Sequence, residues 1–165
     1  MSQLIVFDYP PNMNDIDAVF HTRGKPVLYT YGHRIYNPLS MTIPPALTVH
    51  EAIHGMRQAD HMTDITNIKV DLEVSVIEWW RKYLVDPHFR LIEEVLAHRE
   101  EFKWHCRQPL MNRQKRRAQL TKISRRLSGP LYNGLVTHKQ AARMLLLSDA
   151  DLLAHILKGK SNGSG

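Results

Sequence analysis

His50-Glu51-Ala52-Ile53-His54 puts two imidazoles and a carboxylate within five residues. That set is enough to hold a divalent metal and to work beside it. On an α-helix, side chains four apart share a face, about 5–6 Å apart at Cβ. His50 and His54 can then aim ring nitrogens at one ion, at about 2.0–2.1 Å for zinc. Glu51, one residue round the helix, can reach a water at that ion without taking a coordination position. Zinc brings the pKa of such a water toward about 7, and a carboxylate placed there can remove its proton. Leu47, Val49, Ile53 and Met56 flank the motif with apolar side chains. They predict a buried helix from about Thr48 to Asp60, with the Thr48 hydroxyl as its N-cap.

A catalytic zinc takes three protein ligands and keeps a fourth position open. The one-segment pattern that adds a turn glycine and a third histidine is not met. Arg57 stands at the glycine position, Asp60 at the histidine position, and His61 falls one place late. Asp60 stays a candidate after a tight turn. Residues 86–99 offer another source. Pro87 can open a helix at its first turn, and neither Gly nor Pro follows before Cys106. Glu93 and Glu94 both lie on that helix; neighbours point about 100° apart, so only one can face the ion.

Several segments together resemble the gluzincin-type HExxH zinc metallopeptidases, and more closely the small phage-type zinc peptidases. Glu94-Val95-Leu96-Ala97 matches the Glu-x-x-Ala of that group's second helix. Tyr31-Gly32-His33-Arg34-Ile35-Tyr36-Asn37-Pro38 resembles the segment before the metal helix, and Arg57-Gln58 the pair after it. Trp79-Trp80-Arg81-Lys82-Tyr83-Leu84 lies between the helices, and Leu127-Ser128-Gly129-Pro130-Leu131-Tyr132-Asn133-Gly134 near the end. The likeness runs from about residue 20 to residue 147.

The resemblance implies an α+β fold, a mostly helical zincin-like domain with a small β-sheet or hairpin beside the HExxH helix. It implies one zinc per chain on His50, His54 and Glu94, with Glu51 as general base in hydrolysis of a peptide or protein substrate. Ala97 would let the two helices approach, and Glu93 would turn toward solvent or a basic partner. A strand assigned to 27–37 would offer its edge to an extended peptide. His98, Arg99 and Tyr132 are candidates to support the ligands or to stabilise charge on the reacting carbonyl. Glu101, Asp60 and Asp71 are candidates to accept the second N–H of a ligand histidine.

Length and composition bound the rest. The 165 residues predict one domain over 1–158 and a flexible tail over 159–165. No run of apolar residues is long enough for a membrane span. No basic region followed by an apolar core opens the chain, so a cytoplasmic location is expected: host cytoplasm, or virion if phage-encoded. The single cysteine, Cys106, excludes an internal disulfide and reads as a small buried hydrophobe. Net charge is +6, and residues 103–126 carry nine basic side chains and no acidic one. Centred on Lys115, Arg116 and Arg117, that segment is a candidate contact for nucleic acid or an acidic partner. With no aromatic residue between Arg107 and Arg126, base stacking is not indicated. The alternative function is a catalytically silent zincin-fold binding or assembly protein that holds nucleic acid or a virion partner on this basic face. The intact Glu51 favours the enzyme, since nothing structural asks for a carboxylate there.

The elements that must position these residues follow from the hydrophobic pattern. Leu4 to Phe7 reads as a strand, and 27–31 and 34–37 as a hairpin meeting at Gly32-His33. A connector over 39–45 leads to the metal helix, and 63–67 reads as a loop. Helices are expected over 72–84, from Pro87 onward, and over 113–127, with a break at Gly129-Pro130. A short helix capped by Thr137 is expected over 137–147 and a last one over 149–157.

Overall fold

The computed structural model describes residues 4–67, 69–148, 150–152 and 154. It is an α+β, mostly helical molecule with a small mixed sheet. The strands are β1 (Leu4–Val6), β2 (Tyr29–Tyr31) and β3 (Arg34–Tyr36), in the order β1-β3-β2. β2 and β3 form an antiparallel hairpin with Tyr31 opposite Arg34, and β1 runs parallel to β3 with Ile5 opposite Ile35. The two-residue turn needs a left-handed first residue, which Gly32 supplies at φ +60°.

The helices are α1 (Met13–Phe20), α2 (Pro45–Thr66), α3 (Leu72–Val85), α4 (Pro87–Cys106), α5 (Arg113–Leu127) and α6 (His138–Leu146). Capping side chains start four of them. Asp71 accepts from Glu73 N at 2.8 Å, Asp86 from His88 N at 2.9 Å, and Asn112 from Lys115 N at 2.9 Å. Thr137 and Gln140 form a reciprocal capping box on α6.

Three local expectations need correction. The metal helix begins at Pro45, whose missing N–H costs nothing at the first helical position, so exposed Thr48 is not its cap. It also continues through the segment expected as a loop, ending at left-handed Asn67. Docking of α3 explains the extension: Ser75 Oγ donates to Gln58 O at 2.7 Å and accepts from Met62 N at 3.0 Å. Tertiary bonds override the weak propensity of the Thr-rich turn. Helix α1 was not anticipated. It is short and amphipathic, and it is held by the burial of Met13 and Ile16. The helix expected over 149–157 lies largely outside the described residues, as does the tail.

Two apolar clusters bracket the centre. One joins Met13, Ile16, Tyr29, Tyr36, Val76, Trp79, Trp80 and Tyr83, tying α1 and the hairpin to α3. The other joins Leu91, Val95 and Phe102 of α4 to Ile123 and Leu127 of α5 and to Ala141, Met144 and Leu145 of α6. Helix α4 packs on α2 with a different face, the one bearing Glu94, Ala97, His98 and Glu101. No helix among the described residues is long and apolar enough to cross a membrane.

Candidate metal centre

Helix α2 turns an unusual face inward. Its buried residues include His50, Glu51, His54, Gln58 and His61, whereas Met56, expected to help bury the motif, is 60% exposed. Burying polar groups is unfavourable unless each finds a partner, so the partners define the site.

His50 Nε2 and His54 Nε2 lie 3.1 Å apart. Glu94 on α4 faces both: Oε1 is 3.2 Å from His54 Nε2, and Oε2 is 3.6 Å from His50 Nε2. A tetrahedral centre with bonds of about 2.05 Å separates its ligand atoms by about 3.3 Å. The imidazole spacing and the nearer Glu94 contact, 3.1 and 3.2 Å, lie close to that value, and the three side chains form a buried group that could hold a metal ion. Both Nδ1 atoms are buried without a hydrogen bond, although His50 Nδ1 comes within 3.4 Å of Glu101 Oε2. A second buried group, His50, His98 and Glu101, adjoins the first through that shared imidazole.

Proximity shapes the charges. Burial works against a protonated His54, but Glu94, then Glu51 and Glu93, outweigh it and push its pKa up to about 9. Burial likewise opposes ionised Glu94, yet His54, His50 and His98 hold its carboxyl well below the usual range. A carboxylate poised as an anion beside two imidazoles suits a cation.

Glu94 is also held by a residue the sequence reading passed over. Tyr83 Oη donates to Glu94 Oε1 at 2.6 Å, and burial followed by the Glu94 charge raises the Tyr83 phenol well above its usual range. The Trp79/Tyr83 stripe of α3 was legible as core, but nothing marked the Tyr83 hydroxyl as a partner of Glu94 on α4. Tyr132, in the 3₁₀ turn Pro130–Tyr132, shows the same raised pKa for the same two causes. Arg90 fixes that turn, donating to Leu131 O at 2.9 Å and to Tyr83 O at 2.9 Å.

Glu51 points its carboxylate toward the hairpin, where Thr30 Oγ1 donates to Oε2 at 2.7 Å. It lines a cleft of about 200 Å³ together with Thr30, His50, His54, Glu94 and Tyr132. Upstream residues Val27, Leu28 and Tyr29 form one wall. The outer edge of β2 is only partly open. Gln58 Oε1 accepts from Gly32 N at 2.7 Å, while Gln58 Nε2 and Trp80 Nε1 donate to Thr30 O at 2.8 and 3.2 Å. Gln58 therefore occupies that edge much as a neighbouring strand would, and the 27–37 segment is not exposed along its length.

The remaining candidates are spread out. His98 packs its ring 4.4 Å from that of His50, puts Nδ1 2.7 Å from Glu101 Oε2, and reaches within 3.8 Å of Glu94. Glu93 does not turn to solvent: it is fully buried, and Arg57 grips it with Nε at 3.1 Å and Nη2 at 2.9 Å. Asp60 is exposed, and His61 packs against Phe89. Asp71 caps α3, and Arg99 donates to Leu147 O at 2.6 Å, away from the cleft lining. Lys115, Arg116 and Arg117 are exposed on α5. Compared with protein-family models, curated proteins and solved structures, the chain matches none.

Proposed function

We propose that the protein is a zinc-dependent peptidase. The observation that carries this reading is the convergence of His50, His54 and Glu94 from two packed helices, with Glu51 beside them in one cleft. Two imidazoles and one carboxylate make a His₂Glu donor set of the kind that leaves zinc an open position. Bound there, zinc would acidify a water and polarise a substrate carbonyl.

The chain's own residues supply the rest. Glu51 takes the proton from water in the cleft and delivers it to the departing nitrogen, a role its place beside the ligands allows. The Thr30 hydroxyl holds one Glu51 oxygen, which fixes the carboxylate's direction. Tyr83 orients Glu94, and Glu101, placed beside Nδ1 of His50, orients that imidazole. Tyr132, which lines the same cleft beside Glu94, would donate to a carbonyl oxygen that gains negative charge.

A cleft of about 200 Å³ suits one or two side chains of an extended chain better than a larger compact ligand. Gln58 and Trp80 take the edge bonds at Thr30 and Gly32, Val27 N donates to Lys25 O and Tyr29 pairs with Tyr36, so an added peptide main chain would pair beside Leu28. Glu51→Gln tests the reading. It keeps the shape of the side chain and removes the base, so metal content should be unchanged while zinc-dependent cleavage of a peptide library falls by at least about a hundredfold. Cleavage equal to wild type would remove Glu51 from the mechanism. Absence of any zinc-dependent cleavage by wild type would refute the peptidase.

A further inference from the structure

We propose that the outer face of α5 is a binding surface for the phosphate backbone of duplex nucleic acid, centred on Arg117, Lys122 and Arg125. The metal centre takes no part in it.

The helix is fixed so that one face must look outward. Ile123, Ser124 and Leu127 are buried, and Leu120 packs against the same core. The rest of the helix surface carries Arg113, Lys115, Arg116, Arg117, Lys122, Arg125 and Arg126, all exposed, and the helix has no acidic residue. Solvated helix faces normally intersperse acids, because like charges three or four apart repel. Here Arg113 with Arg117, and Lys122 with Arg126, form such repelling pairs. An anionic partner would relieve them.

The seven cations are not equivalent, which changes the expectation centred on residues 115–117. Lys115 is turned back, donating to Leu110 O at 3.1 Å, and Arg116 lies over the Phe102 ring at 5.9 Å. Arg126 comes within 3.7 Å of Glu101. Arg117, Lys122 and Arg125 have no carboxylate partner among the described residues; Arg113 at the helix start has none either but lies outside the depression the other three share. Together with Arg126 those three line a shallow depression of about 580 Å³, to which Gln114, Ala118 and Thr121 also contribute.

The chemistry of the face selects the ligand. α5 spans about 22 Å at 1.5 Å per residue, long enough for several successive phosphates rather than one ion. Arginine dominates, and its planar fork matches phosphate oxygens. The face bears no large apolar side chain, so it lacks the anchors by which protein partners or membranes are held. It bears no aromatic ring for stacking unpaired bases either. Charge recognition of a duplex backbone, without base readout, is what remains.

Fluorescence anisotropy of the full chain with a labelled duplex of mixed sequence, about 20 base pairs long, tests this. Three phosphate contacts give a slope of log K against log salt near about −2.7, so raising salt from about 50 to about 200 mM should weaken binding roughly 40-fold. The combined variant Arg117→Gln, Lys122→Gln, Arg125→Gln should lose most binding at low salt. Each single change should reduce the slope by about 0.9, which keeps the test alive if the combined variant folds poorly. Neutralising Lys25 and Lys139, exposed cations off this helix, should change little. No duplex binding at about 50 mM salt, or wild-type binding by the combined variant, would overturn the proposal. So would displacement of the duplex by polyglutamate or phosphatidylserine vesicles at equal charge, which would assign the face to an acidic protein or a membrane.

Discussion

Replacing Arg57 with alanine removes the only side chain seen to satisfy the Glu93 carboxylate among the described residues, and the structure sets the scale of the damage. The Glu93 side chain is 1% exposed and accepts two hydrogen bonds from Arg57, whose own side chain is 35% exposed. Breaking a fully buried ion pair costs about 3–5 kcal/mol, because the charge left behind has no solvent. The exposed edge of Arg57 lets water reach the vacated space, which brings the cost below that range: about 2–3 kcal/mol. Against a total stability of about 5–15 kcal/mol this is easily measured as a shift in urea midpoint at constant m. Glu93→Gln in the Arg57→Ala background should recover part of the loss, since a neutral amide is cheaper to bury than a carboxylate. The assay also decides what Glu93 is for. If Glu93→Gln abolishes metal binding while Arg57→Ala leaves stability within about 0.5 kcal/mol, a range typical of uncommitted surface positions, Glu93 is a ligand and the assignment to Glu94 fails.

Two further changes probe the support around Glu94. Tyr83→Phe deletes the hydroxyl 2.6 Å from Glu94 Oε1 and should lower metal affinity by about 10–100-fold, read by competition with a chromogenic chelator; unchanged affinity would make Tyr83 a packing residue only. Ala97→Leu inserts bulk at a position with no exposure; thermal unfolding should show a loss of about 1–3 kcal/mol from overpacking, accompanied by weaker metal binding, and tolerance of the leucine would remove the close-approach argument.

What the sequence disclosed depended on whether the signal was local. His50, Glu51 and His54 sit within one helical turn, so their spacing alone put them on neighbouring faces. Glu94 is forty residues from His54, and the residues themselves left Glu93 and Glu94 open. Packing of α4 on α2 separates them, sending Glu94 to the histidines and Glu93 to Arg57. The caps at Asp71, Asp86, Asn112 and Thr137 are nearest-neighbour chemistry, and all four of those helices start within a residue of the expected positions, although only Thr137 is read as a cap from the sequence. By contrast, the length of α2 came from Ser75 bonding across to Gln58 and Met62, and α1 came from the burial of Met13 and Ile16. The first leaves no trace in the sequence of α2 itself; the second leaves Met13, Ile16 and Phe20 at helical spacing, but over only eight residues. Thr30, Gln58, Tyr83 and Arg90 act through contacts 7 to 41 positions away in sequence. Gln58 and Tyr83 stand in segments that carry the resemblance, but the partner of each of the four lies in another element and leaves no mark in its own segment.

The account stands most directly on metal content. Protein purified without chelator and re-equilibrated with zinc should carry about one zinc per chain by elemental analysis, and His50→Ala treated identically should carry far less because two remaining ligands hold zinc poorly. A wild-type chain that remains zinc-free after loading, while folded, would contradict the central claim.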